Sequence, residues 1–140
     1  MAYGNILADV VQSSTTGTAP VFKDGNSTQV GTLCRAWVNF DGTLSGTITP
    51  RGSFNITSVT KNTTGVYTLN FTNAMPDTNY AVTGVVQYDQ SGNQASHYLM
   101  GAEITISSNA MQTGSVSVSG KYGASSAPYD MITFCVAIFR

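Results

Sequence analysis

From Leu33 to Phe139, apolar side chains recur at every second position in one short run after another. A period of two marks a strand with one buried face, whereas an amphipathic helix needs a period near 3.6. Leu33–Phe40 places Cys34, Ala36, Val38 and Phe40 on one face and Leu33, Arg35, Trp37 and Asn39 on the other. Ser53–Thr60 aligns Phe54, Ile56 and Ser58, and Val66–Thr72 turns Tyr67, Leu69 and Phe71 inward. Tyr80–Tyr88, with Tyr80, Val82 and Val86, and His97–Ile106 continue the series. In Gly114–Gly120, Val116 and Val118 alternate with serines. Met131–Phe139 sets Ile132, Phe134, Val136 and Ile138 against Cys135 and Ala137. No stretch keeps a helical period over three turns. Turn chemistry separates the runs at Asp41-Gly42, Lys61–Gly65, Pro76-Asp77 and Ser91-Gly92-Asn93, because Asn, Asp and Gly tolerate the backbone angles of tight turns. The Gly65 loop between two runs predicts a hairpin. Short strands punctuated in this way predict an all-β fold, an antiparallel β-sandwich.

Residues 1–32 read differently. A short apolar stretch, Ile6–Val11, precedes Gln12–Pro20, which is rich in Ser, Thr and Gly and has no periodicity. We expect an N-terminal arm or linker over residues 1–32, with a first short strand at Ala19–Phe22, and the sandwich over 33–140. The N-terminus lacks the basic region of a signal peptide, and no run nears the ~20 apolar residues of a membrane-spanning helix. The expectation is a soluble chain exported by no cleaved leader.

Charge is scarce. Asp, Glu, Lys and Arg make up 9% of the residues and the formal net charge is −1, so no basic field for nucleic acid or an anionic membrane is present. Polarity comes instead from Thr, Ser, Asn and Gln, which suit neutral hydrogen-bonding ligands such as sugars. A charge-poor surface also lacks a usual guard against self-association. The last strand is apolar on both faces, so it is either central in a sandwich or buried against a partner subunit. We favour the second, which makes a homo-oligomer the expectation.

Groups for catalysis are few. The single histidine, His97, has no Gly-x-Ser-x-Gly partner motif, and Asp24, Asp41 and Asp77 are explained by turn chemistry. A glycoside-cleaving pair would need two carboxylates about 5–9.5 Å apart. Asp89, Glu103 and Asp130 are the available members, but no local spacing joins them. Cys34 and Cys135 lie inside strand-like runs and read as buried free thiols, too few for a structural zinc site. The four Asn-x-Ser/Thr triplets are chance matches in a chain rich in Asn and Thr. The sequence therefore implies no enzyme, no cofactor and no metal. Trp37, on a strand among apolar residues, reads as core or subunit interface rather than a sugar platform. Ligand candidates lie in two loop regions, because loops on a rigid sandwich usually carry recognition. Tyr88, Asp89, Gln90, Asn93, Gln94, His97 and Tyr98 flank one, and Tyr122, Tyr129 and Asp130 flank the other.

Several strings carry a resemblance. Gly31-Thr-Leu-Cys-Arg-Ala-Trp-Val-Asn-Phe40, Ser53-Phe-Asn-Ile-Thr-Ser-Val-Thr60, Gly65-Val-Tyr-Thr-Leu-Asn-Phe71 and Ala74-Met-Pro-Asp-Thr-Asn-Tyr-Ala-Val82, with the closing Phe134-Cys-Val-Ala-Ile-Phe139, are the ones concerned. They resemble the C-terminal, receptor-binding domain of bacteriophage tail fibre proteins of the cyanophage and marine-phage type. The likeness is specific over Val21–Val82 and the last strand and fades over Gln87–Tyr129. Phe71–Val82 is also similar to the core pattern of H-type lectins, six-stranded sandwiches that trimerise. The resemblance implies a homotrimeric, H-type-lectin-like fibre tip, part of the virion and assembled in the bacterial cytoplasm. Such a tip joins the rest of the tail fibre and binds a bacterial surface receptor, a polysaccharide or a protein. The alternative is a purely structural trimerisation or capping domain, and a depolymerase resembling other phage spikes is the third reading.

Overall fold

The computed structural model describes residues 10–11, 14, 22–23, 26–27, 29–31, 33–90, 93–99, 110–121 and 127–140, with the backbone alone for 29–30, 89–90 and 93–99. Among the described residues every regular element is a strand. The chain divides into two units between Leu33 and Cys34. In the first, β1 (Phe22–Lys23) and β2 (Gln29–Gly31) pair antiparallel; residues 19–21 of the expected first strand lie outside the described residues.

The described residues of the second unit hold nine strands: β3 (Cys34–Phe40), β4 (Thr47–Ile48), β5 (Gly52–Phe54), β6 (Ile56–Thr63), β7 (Val66–Phe71), β8 (Ala81–Gln90), β9 (Asn93–Leu99), β10 (Ser115–Ser119) and β11 (Thr133–Phe139). They form a four-stranded sheet, β10-β7-β6-β4, and a five-stranded sheet, β5-β3-β11-β8-β9, with antiparallel pairing throughout. The alternation read from the sequence sets their inner faces. Ala36, Val38 and Phe40 of β3 and Phe134, Val136 and Ile138 of β11 are buried. From the other sheet, Val59, Tyr67, Leu69, Val116 and Val118 join them in one core. The fold is thus a sandwich-like pair of antiparallel sheets, as the period-two pattern predicts.

Three rings tie the layers together. Phe40 and Phe134 face each other across β3 and β11 and stack, with centroids 4.7 Å apart and planes 7° apart. Tyr67 of the other sheet meets both edge-on, at 5.1 Å and 4.7 Å. Offset stacking and edge-to-face contacts are the arrangements that the ring quadrupole favours.

One expected strand is two. Ser53–Thr60 breaks at Asn55, whose φ of 56° leaves the extended region, and the chain passes from the five-stranded sheet into the four-stranded one. Phe54 consequently faces outward at 55% exposure while Ile56 turns into the core, so the expected shared face of Phe54 and Ile56 does not exist. Asn is one of the few residues that tolerates the left-handed region. Its side chain also fixes the corner: Nδ2 donates to Arg35 O and Asn73 O, and Oδ1 accepts from Asn73 N at 2.7 Å.

The last strand, β11, is central, flanked by β3 and β8. Its inner face, Phe134, Val136 and Ile138, is buried, whereas Cys135 and Ala137 on the outer face are half-buried. The hairpin expected at Lys61–Gly65 joins β6 to β7, with Gly65 at φ 68°. The expected His97–Ile106 strand is β9 as far as Leu99, and its remainder lies outside the described residues. Both cysteines are free thiols. They sit at opposite ends of the β3–β11 ladder, Cys34 beside Phe139 and Cys135 beside Asn39.

Replacing Asn55 tests the corner. Asn55→Ala should lower unfolding stability by about 2–4 kcal/mol, from left-handed strain plus the lost side-chain hydrogen bonds. Asn55→Gly should cost about 1 kcal/mol less, because glycine removes only the strain. Denaturant unfolding of both variants reads this, and equal losses would contradict it.

Candidate functional site

The register brings one set of connections to a single end of the sandwich. There lie the exits of β3, β6, β8 and β10 and the entries of β7, β9 and β11. The described residues of both loop regions singled out in the sequence, 88–90 and 127–130 among them, belong to this end. Tyr88, late in β8, and Tyr129, just before β11, meet edge-to-face with centroids 6.2 Å apart. Tyr88 is half-buried against the core, whereas Tyr129 is 39% exposed. A side chain from the end of β8 and one from the segment before β11 thus form one aromatic ledge.

The other candidates sort into three groups. Asp89 and Gln90 continue β8, and Asn93, Gln94, His97 and Tyr98 lie on β9, with Gln90 opposite Asn93, Gln87 opposite His97 and Val86 opposite Tyr98. Their backbones form the hairpin beside the ledge. Tyr122 lies outside the described residues.

Asp130 is engaged inward. Its Oδ2 accepts from Lys61 Nζ at 2.6 Å, and its Oδ1 accepts from Gly65 N at 2.7 Å. The Tyr67 hydroxyl lies 2.7 Å from that same Oδ1 and 2.7 Å from Gly42 O. A phenol has one proton to donate, so these two acceptors share it. Lys61 Nζ further reaches Gly42 O and Leu44 O. Asp130 thus serves as a clamp that binds the segment before β11 to the β6–β7 hairpin and to the exit of β3.

The glycines of this end allow its close approaches. A Cβ on Gly65 would collide with Tyr129 N and Pro128, and one on Gly42 would collide with the Phe134 ring, the Tyr67 hydroxyl and Met131 O. Backbone bonds complete the clamp: Gly42 N to Met131 O, Gly120 N to Gly65 O and Tyr129 N to Gly120 O, all within 3.0 Å. Tyr129 is therefore presented by a fixed backbone.

Burial pushes the Asp130 carboxyl up, but the hydrogen bonds from Lys61, Gly65 N and Tyr67 outweigh it, and the net displacement is below the usual carboxylate range. Tyr67 is displaced strongly upward, first by burial and then by Asp130, so it stays a neutral donor. The sequence signal for the clamp was present but faint. In a chain with only six basic residues, a lysine late in β6 stands out. Lys61 and Tyr67 were nonetheless read only as hairpin and core.

Asp41 and Asp77 behave as turn residues, with Asp41 Oδ1 accepting from Thr43 N and Asp77 Oδ1 from Asn79 N. Each also pairs with an arginine, Arg51 and Arg140 respectively. Among the described residues no three His, Cys, Asp or Glu side chains converge as a metal site would require.

A concave feature lies on the outer face of the five-stranded sheet. It is a depression of about 420 Å³ over the middle of β11, walled by Trp37 and Val85 and floored around Gly84, Cys135 and Ala137. Trp37 is 42% exposed, so it is not a core residue. No protein-family model matches the chain, and no curated protein or solved structure matches it either.

The clamp predicts a pH dependence. The folded carboxyl of Asp130 titrates below its unfolded value of about 3.9, so its contribution is present above that value and lost as pH falls through the folded one. Asp130→Asn should cost about 1–3 kcal/mol at neutral pH, and the gap to the parent protein should close below about pH 4. Thermal unfolding across pH 2–7 reads this; a gap of constant size would sink it.

Proposed function

We propose that this protein is the receptor-recognising tip of a bacteriophage tail fibre, a homotrimer with an H-type-lectin-like sandwich that attaches the virion to a bacterial surface polysaccharide. The observation that carries the reading is the convergence of both loop regions at one end, where Tyr88 and Tyr129 form an aromatic ledge. An exposed tyrosine offers a flat apolar face to a sugar ring and a hydroxyl to its polar rim. Because Tyr129 hangs from the clamped backbone, little side-chain and loop freedom is lost on binding, which favours affinity. The scarcity of charge suits a neutral glycan. The likeness of the Gly31–Phe40 and Phe134–Phe139 strings to tail fibre domains supports the same reading. In a trimer one weak site is repeated three times, and avidity raises binding by about 10²–10⁴-fold over one site.

The purely structural reading, a trimerisation or capping domain, draws on the apolar outer face of the five-stranded sheet. Receptor binding separates the two. The full chain should adsorb to host cells or to their purified surface polysaccharide, and Tyr129→Ala should weaken adsorption at least tenfold while lowering unfolding stability by no more than the about 0.5–1.5 kcal/mol of its contact with Tyr88. Replacement of residues 88–98 and 121–130 together should abolish it. Adsorption that survives this double replacement would refute the loop assignment, and a full chain that binds no host surface would favour the structural role.

A further inference from the structure

The two sheets differ sharply on their outer faces. The four-stranded sheet turns a polar ladder outward, with Thr57 bonded to Thr72, Asn62 to Thr68 and Asn70 to Ser58. The five-stranded sheet turns out Phe54, Trp37 and Val85, which are 55%, 42% and 37% exposed, with the small Ala137 and Thr83 between them. Phe54 pairs directly with Trp37, Trp37 with Ala137, and Ala137 with Thr83, so they form one row across four strands. We propose that this face is where copies of the chain join, the Trp37–Phe54 ridge of one copy seating in the depression over Ala137 and Gly84 of the next.

Size argues for a macromolecular occupant. Phe54 and Val85 stand three strand spacings apart, about 14 Å, wider than one sugar or aromatic ring covers. The whole face measures roughly 24 by 23 Å from strand spacing and rise. Two such faces bury on the order of 1,000 Å², the threshold for a specific interface.

Shape and charge argue for a second copy in particular. Ridge and depression lie side by side on one patch, so the ridge of each copy can meet the depression of the next around a closed ring, as head-to-tail contacts between identical subunits require. No residue lining the depression carries a charge, and two copies can meet without burying like charges against each other. Charge lies only at the margins: Arg35 at the start of β3, and Arg51 at its far end, where it bonds Asn39 and is paired with Asp41. The trimer named above leaves its contact surface open; the face assigned here stands whether or not the loops bind a receptor.

The test uses the full chain and its single tryptophan, Trp37. Sedimentation across low to high micromolar concentration should show mass above the monomer, with Trp37 emission moving to shorter wavelength and acrylamide quenching falling as assembly proceeds. Trp37→Arg and Val85→Asp, each on the surface, should weaken association by about 30-fold or more, with circular dichroism unchanged and melting lowered only at concentrations where the parent protein is assembled. The weakened variants should still bind host polysaccharide through single sites if the loop reading is correct, so the two readings fail separately. A parent protein monomeric at every concentration overturns the proposal, as does assembly that survives both substitutions combined. Saturable binding of a small apolar dye to the depression of a persistent monomer would assign the face to a ligand and overturn it equally.

Discussion

Tyr67 is the point at which the two sheets and one set of loops are held in common. Its ring fills the space between Phe40 and Phe134, and its hydroxyl leaves the core at the one place where Gly42 and Asp130 wait for it. A fully buried phenol that lost its partner would leave an unsatisfied polar group at a cost of about 1–3 kcal/mol. The ring therefore fixes not only the packing distance of the layers but also where the β3 exit and the segment before β11 must run. Gly42 and Gly120 exist in that geometry because the Phe134 ring presses against both backbones. The position of Tyr129 follows from the same anchor, two covalent steps from the packing of the core.

Much of this was legible in the residues. Alternation identified the inward positions of β3, β7, β10 and β11 correctly, because burying one face of a strand forces a period of two whatever the sheet it joins. The β6–β7 hairpin was announced by Asn62 and Gly65, and the aspartates of the turns by their residue type. The corner at Asn55 was not legible. A single residue in the left-handed region reverses the face of everything after it, and the string Phe54-Asn55-Ile56 reads as unbroken alternation. Pairing across the sheets was equally hidden, since β11 lies beside β3 despite nearly a hundred residues between them. The place of Asp130 could be read as a loop position but not as an anchor, because its partners, Lys61, Gly65 and Tyr67, come from a distant hairpin.

The division of labour between surfaces follows from this frame. One end gathers loops on a backbone that cannot shift without breaking the clamp, and it is there that variation in sequence changes what is displayed without touching the core. The opposite end is closed differently, by Tyr80 donating toward Gln112 O and Ser115 O and by Arg140 holding Asp77 through two nitrogens. Between the ends, one broad face is polar and the other apolar. A sheet that faced water on both outer sides would need no such difference.

The hydroxyl and amide ladder on the four-stranded sheet has a further consequence. Its contacts join neutral groups, so they owe nothing to long-range Coulomb attraction. Mobile ions shorten the reach of a charge from about 8 Å at physiological ionic strength to about 3 Å at 1 M, yet they have no charge here to screen. Only three ion pairs, those of Asp41, Asp77 and Asp130, are exposed to that effect among the described residues. The broad polar face thus keeps the same character from dilute buffer to brine.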